Sequence, residues 1–406
     1  MNPAPIRPRP TLDLSVDFLG RHLENPFILS AAPSTDDLDM ARAGLEAGWA
    51  GVVLKTTSVE GTRVSLAYPM MSAMEWAARR LVGMGNIDLI SEHHVDAVEE
   101  RVRALTREFP TKLIAASIMG QSKEEWQSLV RRLRDAGVCL IECSFSCPQG
   151  SMGERAGAML AQSAAATEKV SGWVKEAAGD LPVLIKITPQ VADVVEIARA
   201  VKDGGADGVT ASNSVPALMG VDIETFAPIP ALGGVGTYSG FTGPAIKPLT
   251  LRTVAEIARH VDIPISGNGG VATWSDAVEL FAVGAQNIQI CTAVMHHGFR
   301  IVDDLKSGLA HYLERKGFTR VADIVGRALP HIVDHDELPR RKMRSRIDEA
   351  ACLRCGVCAV ACRDGGHRAI TMTEDRLPVV DDERCVGCGL CPLTCPAGCI
   401  RMEAIA

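Results

Sequence analysis

From Phe27 to about Gly317 the chain alternates short apolar runs with longer amphipathic stretches of helical period. The runs are Phe27 to Ala31, Gly51 to Lys55, Lys112 to Ile118, Cys139 to Phe145, Pro182 to Ile187, Gly208 to Ser212, Pro264 to Gly270 and Asn287 to Thr292. An apolar run of this length bounded by turn residues reads as a buried strand, and the stretches between them as helices that cover it. Helix ends carry their own marks. Ser122 with Glu125 and Thr273 with Asp276 have capping-box spacing, and Gly48, Gly137, Gly284 and Gly317 stand where a helix closes on glycine. Eight strand-helix repeats over about 290 residues predict an α/β chain folded as a closed parallel (β/α)8 TIM barrel. An open doubly wound sheet with a reversal point is the alternative topology.

Two connections exceed a turn, Thr56 to Ile90 after the second strand and the glycine-rich Ser214 to Thr242 after the sixth. Both leave the C-terminal end of a strand, where barrel enzymes build their sites, so both are candidate lids or substrate loops. Beyond Gly317 a helical stretch runs to Leu329. A basic segment follows, Asp334 to Arg346, containing Arg340, Arg341, Lys342, Arg344 and Arg346, and it reads as a solvated linker. The domain boundary belongs there, with a barrel over 1–335 and a second domain over 336–406.

The second domain changes the picture. Nine of the chain's thirteen cysteines fall between Cys352 and Cys399. They repeat one pattern, Cys352-x2-Cys355-x2-Cys358-x3-Cys362 and then Cys385-x2-Cys388-x2-Cys391-x3-Cys395-Pro396. Three thiolates at this spacing wrap one face of a cubane, and in two-cluster ferredoxins the fourth of each run reaches the other cluster. Cys352, Cys355, Cys358 and Cys395 are therefore expected to hold one 4Fe-4S cluster, and Cys385, Cys388, Cys391 and Cys362 another. Structural zinc, the rival, prefers two separated Cys-x2-Cys pairs. Cys399 is surplus and reads as buried. One-electron carriers in the tail require a converter to two-electron chemistry in the barrel.

A net charge of -7 offers no positive field for nucleic acid or an anionic membrane surface. Met1 to Pro10 has no apolar h-region, and no apolar segment approaches the ~20 residues that span a bilayer. The many thiols with ligand spacing suit a reducing, cytoplasmic setting.

The converter is expected to be a flavin, because no haem signature and no G-x-G-x-x-G at a strand-helix turn is present. Gly269-Gly270 and Thr292-Ala293, at the tops of the last two strands, are candidates for its phosphate. Lys55 and Lys186 end apolar strands, where a buried ammonium needs an anionic partner. Lys186 suits the N1/O2 edge of a flavin ring, whose charge on reduction it would stabilise. The amides of Asn86 and Asn213 offer a donor and an acceptor side by side, which suits a planar ring with C=O and N-H groups. Cys147, beside the break at Pro148, ends the fourth strand on the chemical face. His93-His94 and His296-His297 have no ligand partners at useful spacing and read as structural.

Ser30-Ala-Ala-Pro33, Leu54-Lys-Thr56, Asn86 to Glu92, Ala116-Ser-Ile-Met119, Ser146-Cys-Pro148 with Met152-Gly-Glu-Arg155, Lys186-Ile-Thr-Pro189, Gly204 to Thr210 with Asn213, Leu218-Met-Gly220 and the cysteine tail together resemble the dihydropyrimidine dehydrogenase family. The match covers the flavin barrel and C-terminal ferredoxin part of such enzymes, and looks like the bacterial two-subunit form. The resemblance implies FMN in the barrel, held by Ala32, Lys55, Thr56, Lys186, Ser212, Gly269, Gly270, Thr292 and Ala293. It implies a pyrimidine stacked on the flavin, with its edges held by Asn86, Asp88, Asn213 and Ser214, with Ser144 beside them. Cys147 would act as general acid toward C5 while hydride passes between flavin N5 and C6. A thiol with an ordinary pKa of about 8.5 stays protonated near neutrality and can donate. The implied partner is a subunit that supplies FAD, iron-sulfur clusters and the NAD(P)H site.

One position departs from the pattern. Two residues ahead of Ser-Cys-Pro the family has asparagine, and this chain has Ser144. A hydroxyl cannot supply the paired donor and acceptor of an amide, so a heterocycle related to uracil and thymine stands beside them as expected substrate. Dihydroorotate oxidation on a similar barrel is a second reading, and a non-catalytic electron carrier a third.

Overall fold

A computed structural model of the protein describes residues 12–76, 80–146 and 159–405. In chain order the first unit runs β1 (Val16–Phe18), β2 (Arg21–Leu23), β3 (Phe27–Leu29), α1 (Leu38–Glu46), β4 (Gly51–Thr57), β5 (Met71–Trp76), β6 (Arg80–Asn86), α2 (Val95–Glu108), β7 (Leu113–Ile118), α3 (Lys123–Ala136) and β8 (Leu140–Ser144). It continues α4 (Ala164–Ala178), β9 (Val183–Lys186), α5 (Val194–Asp203), β10 (Gly208–Ala211), β11 (Val215–Ala217), β12 (Ser239–Thr242), α6 (Lys247–His260), β13 (Ile265–Asn268), α7 (Trp274–Ala282), β14 (Asn287–Ile290), α8 (Thr292–His297) and α9 (Ile301–Lys316).

The eight apolar runs are the eight strands β3, β4, β7, β8, β9, β10, β13 and β14, hydrogen-bonded in that order into a closed barrel. Each pairing is parallel, and β14 returns to β3 through Ile288, Gln289 and Ile290 opposite Phe27, Ile28 and Leu29. The closed barrel, rather than the open sheet, is what the repeat count predicts. Thr273 and Asp276 form the capping box at the start of α7. Ser122 caps α3 by accepting from Glu125 N, while the Glu125 carboxylate accepts instead from Gln121 N, one residue before the cap. Gly137, with φ at +103°, closes α3 in the left-handed conformation.

The core lies between barrel and helices. Trp126, Leu129 and Leu133 of α3 pack with Phe145, and the Trp126 and Phe145 rings meet edge to face with centroids 5.6 Å apart. Each such side chain contributes on the order of 1.5–3 kcal/mol by leaving water. The antiparallel hairpin β1-β2 brings Phe18 and Leu23 against Ile28, Val53, Leu113 and Leu184 in a second apolar cluster.

The two long connections have a structure that their sequence does not announce. The first folds back as the hairpin β5-β6, the second contributes β11 and β12, and the four make one antiparallel sheet in the order β11-β12-β6-β5. Gly240, Phe241 and Thr242 pair with Asn86, Gly85 and Met84.

The second unit spans Ile332–Ala406, the first Met1–His331. It contains β15 (Met343–Ile347), α10 (Val357–Gly365), β16 (Ile370–Met372), β17 (Pro378–Val380), α11 (Leu390–Thr394) and β18 (Ile400–Ala404). β15 pairs antiparallel with β18, and β16 with β17. The apolar cluster here is Cys358, Ile370, Cys391, Cys399 and Ile400, a core made largely of thiols. A unit this small has little hydrocarbon inside to stabilise it.

The basic run is not all linker. Arg344 and Arg346 lie on β15, where both reach Asp382, at 2.7 and 2.9 Å. Their neighbour Ser345 is buried. The alternation Met343, Ser345, Ile347 against Arg344, Arg346 is a strand period hidden within a charge run.

Candidate active site

Seven of the eight barrel strands, all but β7, deliver residues at or just after their C-terminal ends to one cavity of about 720 Å3. Ala32 follows β3, Lys55 and Thr56 end β4, Ser144 ends β8, Lys186 ends β9, and Ser212, Asn213 and Ser214 follow β10. Asn86 and Asp88 enter from the end of β6, and Gly240 and Thr242 from β12, which pairs with it. All of these line the same cavity.

Two lysines bring charge to it. Lys55 Nζ lies 3.0 Å from Asp88 Oδ1 and 3.4 Å from Asp36 Oδ2. Burial pushes Asp88 above the ordinary aspartate pKa of 3.8, and the Lys55 charge pulls against that shift. Lys186 Nζ donates to Ser30 Oγ at 3.2 Å and lies 3.5 Å from Glu142 Oε1. Ser30 Oγ also accepts from Asn268 Nδ2 at 3.2 Å. An ammonium has three donors, so Lys186 retains capacity for an acceptor in the cavity.

The amides are partly committed within the protein. Asn213 Nδ2 donates to Ser146 Oγ at 2.6 Å, and its Oδ1 accepts from Ser214 N at 2.8 Å. Those bonds fix the orientation of the amide beside Ser214. Ser144 is buried, with Lys186 opposite it in the neighbouring strand. Cys147 lies outside the described residues.

A second cavity, of about 450 Å3, shares Thr242, Asn268, Gly269 and Cys291 with the first. Gly269, Gly270, Thr292 and Ala293 line it, as do His296 and His297, which the sequence does not single out for this place. Gly270 has φ at +81°, and a Cβ there would stand 2.6 Å from the Lys247 backbone. Only glycine lets the chain pass so close to α6. Burial pushes the Cys291 thiol up in pKa while the Lys186 charge draws it down.

These chambers fit a flavin. The larger has convergent donors and lysines for a ring, the smaller has a glycine turn for a phosphate, and the two share walls. Sequence reasoning passes over Asp36, Glu142, Asn268 and Gln289, and quotes Ser30 only within a motif, with no role at the site. The signal was present for Glu142, a lone carboxylate inside the apolar run Leu140 to Cys143.

In the second unit Cys352, Cys355, Cys358 and Cys395 line one cavity, with Cys399 beside them. Cys362, Cys385, Cys388 and Cys391 line another. The fourth cysteine of each run thus stands with the first three of the other. Ala369 N donates to Cys362 Sγ at 3.2 Å, and Ser345 Oγ lies 3.3 Å from Cys391 Sγ. Among the described residues no three ligating side chains are arranged around a single-ion site. Each set rings a space instead.

Barrel, twin chambers and thiol-lined tail define the class, a flavin and iron-sulfur oxidoreductase. The chain belongs to the dihydroorotate dehydrogenase family, which matches residues 13–313, and a 4Fe-4S dicluster domain matches residues 345–402. It is 38% identical over 401 residues, 97% of this chain and 96% of the relative, to the NAD-dependent dihydropyrimidine dehydrogenase subunit PreA of Escherichia coli K12. It is 31% identical over 342 residues, 81% of this chain and 80% of the relative, to the chloroplastic dihydropyrimidine dehydrogenase (NADP(+)) of Arabidopsis thaliana. The catalytic subunit of dihydroorotate dehydrogenase B (NAD(+)) from Pyrococcus abyssi is 32% identical over 316 residues, 78% of this chain and 99% of that one.

Proposed function

We propose that the protein is the flavin and iron-sulfur subunit of a dihydropyrimidine dehydrogenase, reducing the 5,6 double bond of uracil, thymine or a related heterocycle. The observation that carries this reading is one cavity lined by Asn86, Asn213, Ser214 and the two lysines, opening onto a glycine-turned second chamber. Similarity to the bacterial subunit over nearly the whole chain, tail included, supports it against dihydroorotate oxidation, since the Pyrococcus relative covers 78% of the chain.

In this reading FMN would be held across both chambers, where it would supply two-electron hydride chemistry at C6 of the substrate, the tail cysteines holding the one-electron carriers. Lys55, Lys186, Ser212, Ala32 and Thr56 hold the ring, and Gly269, Gly270, Thr292 and Ala293 the phosphate. Asn86, Asn213 and Ser214 hold the edges of the pyrimidine. The Cys147 thiol gives its proton to C5 and is reprotonated from solvent. Asp88 positions Lys55, to which it is bonded, and so reaches the substrate indirectly. The electrons come from NAD(P)H through a partner subunit carrying FAD and iron-sulfur clusters. Ser144, with one hydroxyl where an amide would pair twice, places a related heterocycle beside uracil and thymine as substrate. Reduced thiols in the tail suit a cytoplasmic enzyme, and among the described residues no helix is long and apolar enough to cross a membrane.

Anaerobic titration of the purified protein tests the reading. Dihydrouracil, dihydrothymine and related dihydropyrimidines are expected to bleach the flavin band, and dihydroorotate to leave it unchanged. Bleaching by dihydroorotate alone assigns the second activity, and a flavin that no ring perturbs assigns an electron carrier.

A further inference from the structure

Glu142 is the most deeply buried carboxylate of the barrel interior, with no exposed surface. It sits on β8 below the cavity, and the polar groups that face it are donors. Its Oε2 accepts from Thr210 Oγ1 at 2.8 Å and from Gln289 Nε2 at 2.9 Å, while Oε1 faces the Lys186 ammonium at 3.5 Å. Thr210, Gln289 and Lys186 thus direct two hydrogen bonds and an ammonium at this one side chain. An isolated charge at this depth is costly, and a nearby cation is what offsets the cost. β8, β9, β10 and β14 each contribute one member of this cluster, namely Glu142, Lys186, Thr210 and Gln289.

We infer that Glu142 is a positioning residue that holds the Lys186 ammonium at the floor of the cavity, offsets part of its charge, and so sets the reduction potential of the flavin above it. This rests on the reading that FMN lies against Lys186. A positive charge near the N1/O2 edge favours the reduced ring, and a carboxylate behind that charge weakens its field. The pair therefore acts as one unit. Its net effect is smaller than that of a bare lysine, which keeps the flavin reducing enough to pass electrons onward.

The test is spectroelectrochemical titration of the flavin in the whole protein with Glu142→Gln, Lys186→Gln and both together. Glu142→Gln is nearly isosteric. Gln289 Oε1 has no partner, so a turn of the Gln289 amide supplies an acceptor for the new NH2 group. Glu142→Gln is expected to raise the midpoint potential and Lys186→Gln to lower it. Once Lys186 is gone, Glu142→Gln is expected to add a smaller shift, because Glu142 then has no ammonium to hold in place. A flavin-loaded Glu142→Gln protein with the wild-type potential overturns the inference, and so does an equal shift in both backgrounds. Should Glu142→Gln not fold, Glu142→Asp draws the carboxylate back from Lys186 and is expected to give a smaller upward shift; no shift there overturns the inference equally. A wild-type protein without flavin defeats the functional reading instead, which keeps the two failures apart.

Discussion

Lys55 and Asp88 meet at 3.0 Å across the cavity wall, with 6% and 7% of their side chains exposed. They come from different elements, the end of β4 and the segment after β6, so their contact ties the hairpin excursion to the barrel. Asp36 gives Lys55 a second carboxylate at 3.4 Å. Lys55→Met strands Asp88, while Asp36 keeps Arg101 at 3.7 Å, and is expected to cost about 3–5 kcal/mol, read by chemical denaturation. Asp88→Asn behaves differently. Because burial raises its pKa above 3.8 in the fold, ionised Asp88 carries a cost that is present at neutral pH and relieved as pH falls through the raised value. The Asn variant is expected to match or exceed wild-type stability at neutral pH, and the two to converge on the acid side. A wild-type protein more stable than the Asn variant at neutral pH, with the gap closing as pH falls, would show that the ion pair, and not burial, dominates.

At Gly270 the backbone is both left-handed and against α6. Gly270→Ala is expected to lose more than the ~1–2 kcal/mol that a left-handed side chain costs, since the new methyl also displaces Lys247. The displaced turn is the proposed phosphate wall. FMN is therefore expected to bind the variant at least tenfold more weakly by fluorescence titration, whereas riboflavin, which has no phosphate, is expected to lose little.

The crossed arrangement of the cysteine runs has a genetic signature. If Cys395 serves with Cys352 and Cys362 with Cys385, Cys395→Ala combined with Cys352→Ala is expected to remove no more iron than either change alone. Cys395→Ala with Cys362→Ala is expected to remove both clusters, about eight irons per chain against about four. Iron analysis with electron paramagnetic resonance reads this directly. Non-additive loss for Cys362 with Cys352 would mean that each run fills its own cluster.

Cys143 is completely enclosed, and burial beside Glu142 pushes its thiol well above the ordinary value. It therefore stays protonated and unreactive at alkaline pH as well as neutral. Alkylation at pH 8 followed by mass spectrometry is expected to leave Cys143 unmodified until denaturant is added.

Much of this was legible in the chain. Each of the eight strands could be read because a barrel strand is buried on both faces and mostly apolar, and its short run separates it from a helix. Both cysteine runs could be read because a cubane imposes its own spacing on the ligands around it. Lys55 and Lys186 could be picked out because an ammonium at the end of an apolar strand is out of place unless something anionic meets it.

The primary sequence by itself determined the barrel, the thiol tail and the list of residues at the strand ends, all of which rest on local period and spacing. Tertiary structure decided how those residues pair: Lys55 with Asp88 and Asp36, Lys186 with Glu142, β6 with β12, and Arg344 with Asp382 inside what looks like a linker. Those partners lie tens of residues apart in the chain. Closure of the barrel brings every strand end to one rim, so the contacts made there depend on the whole ring and on no stretch within it.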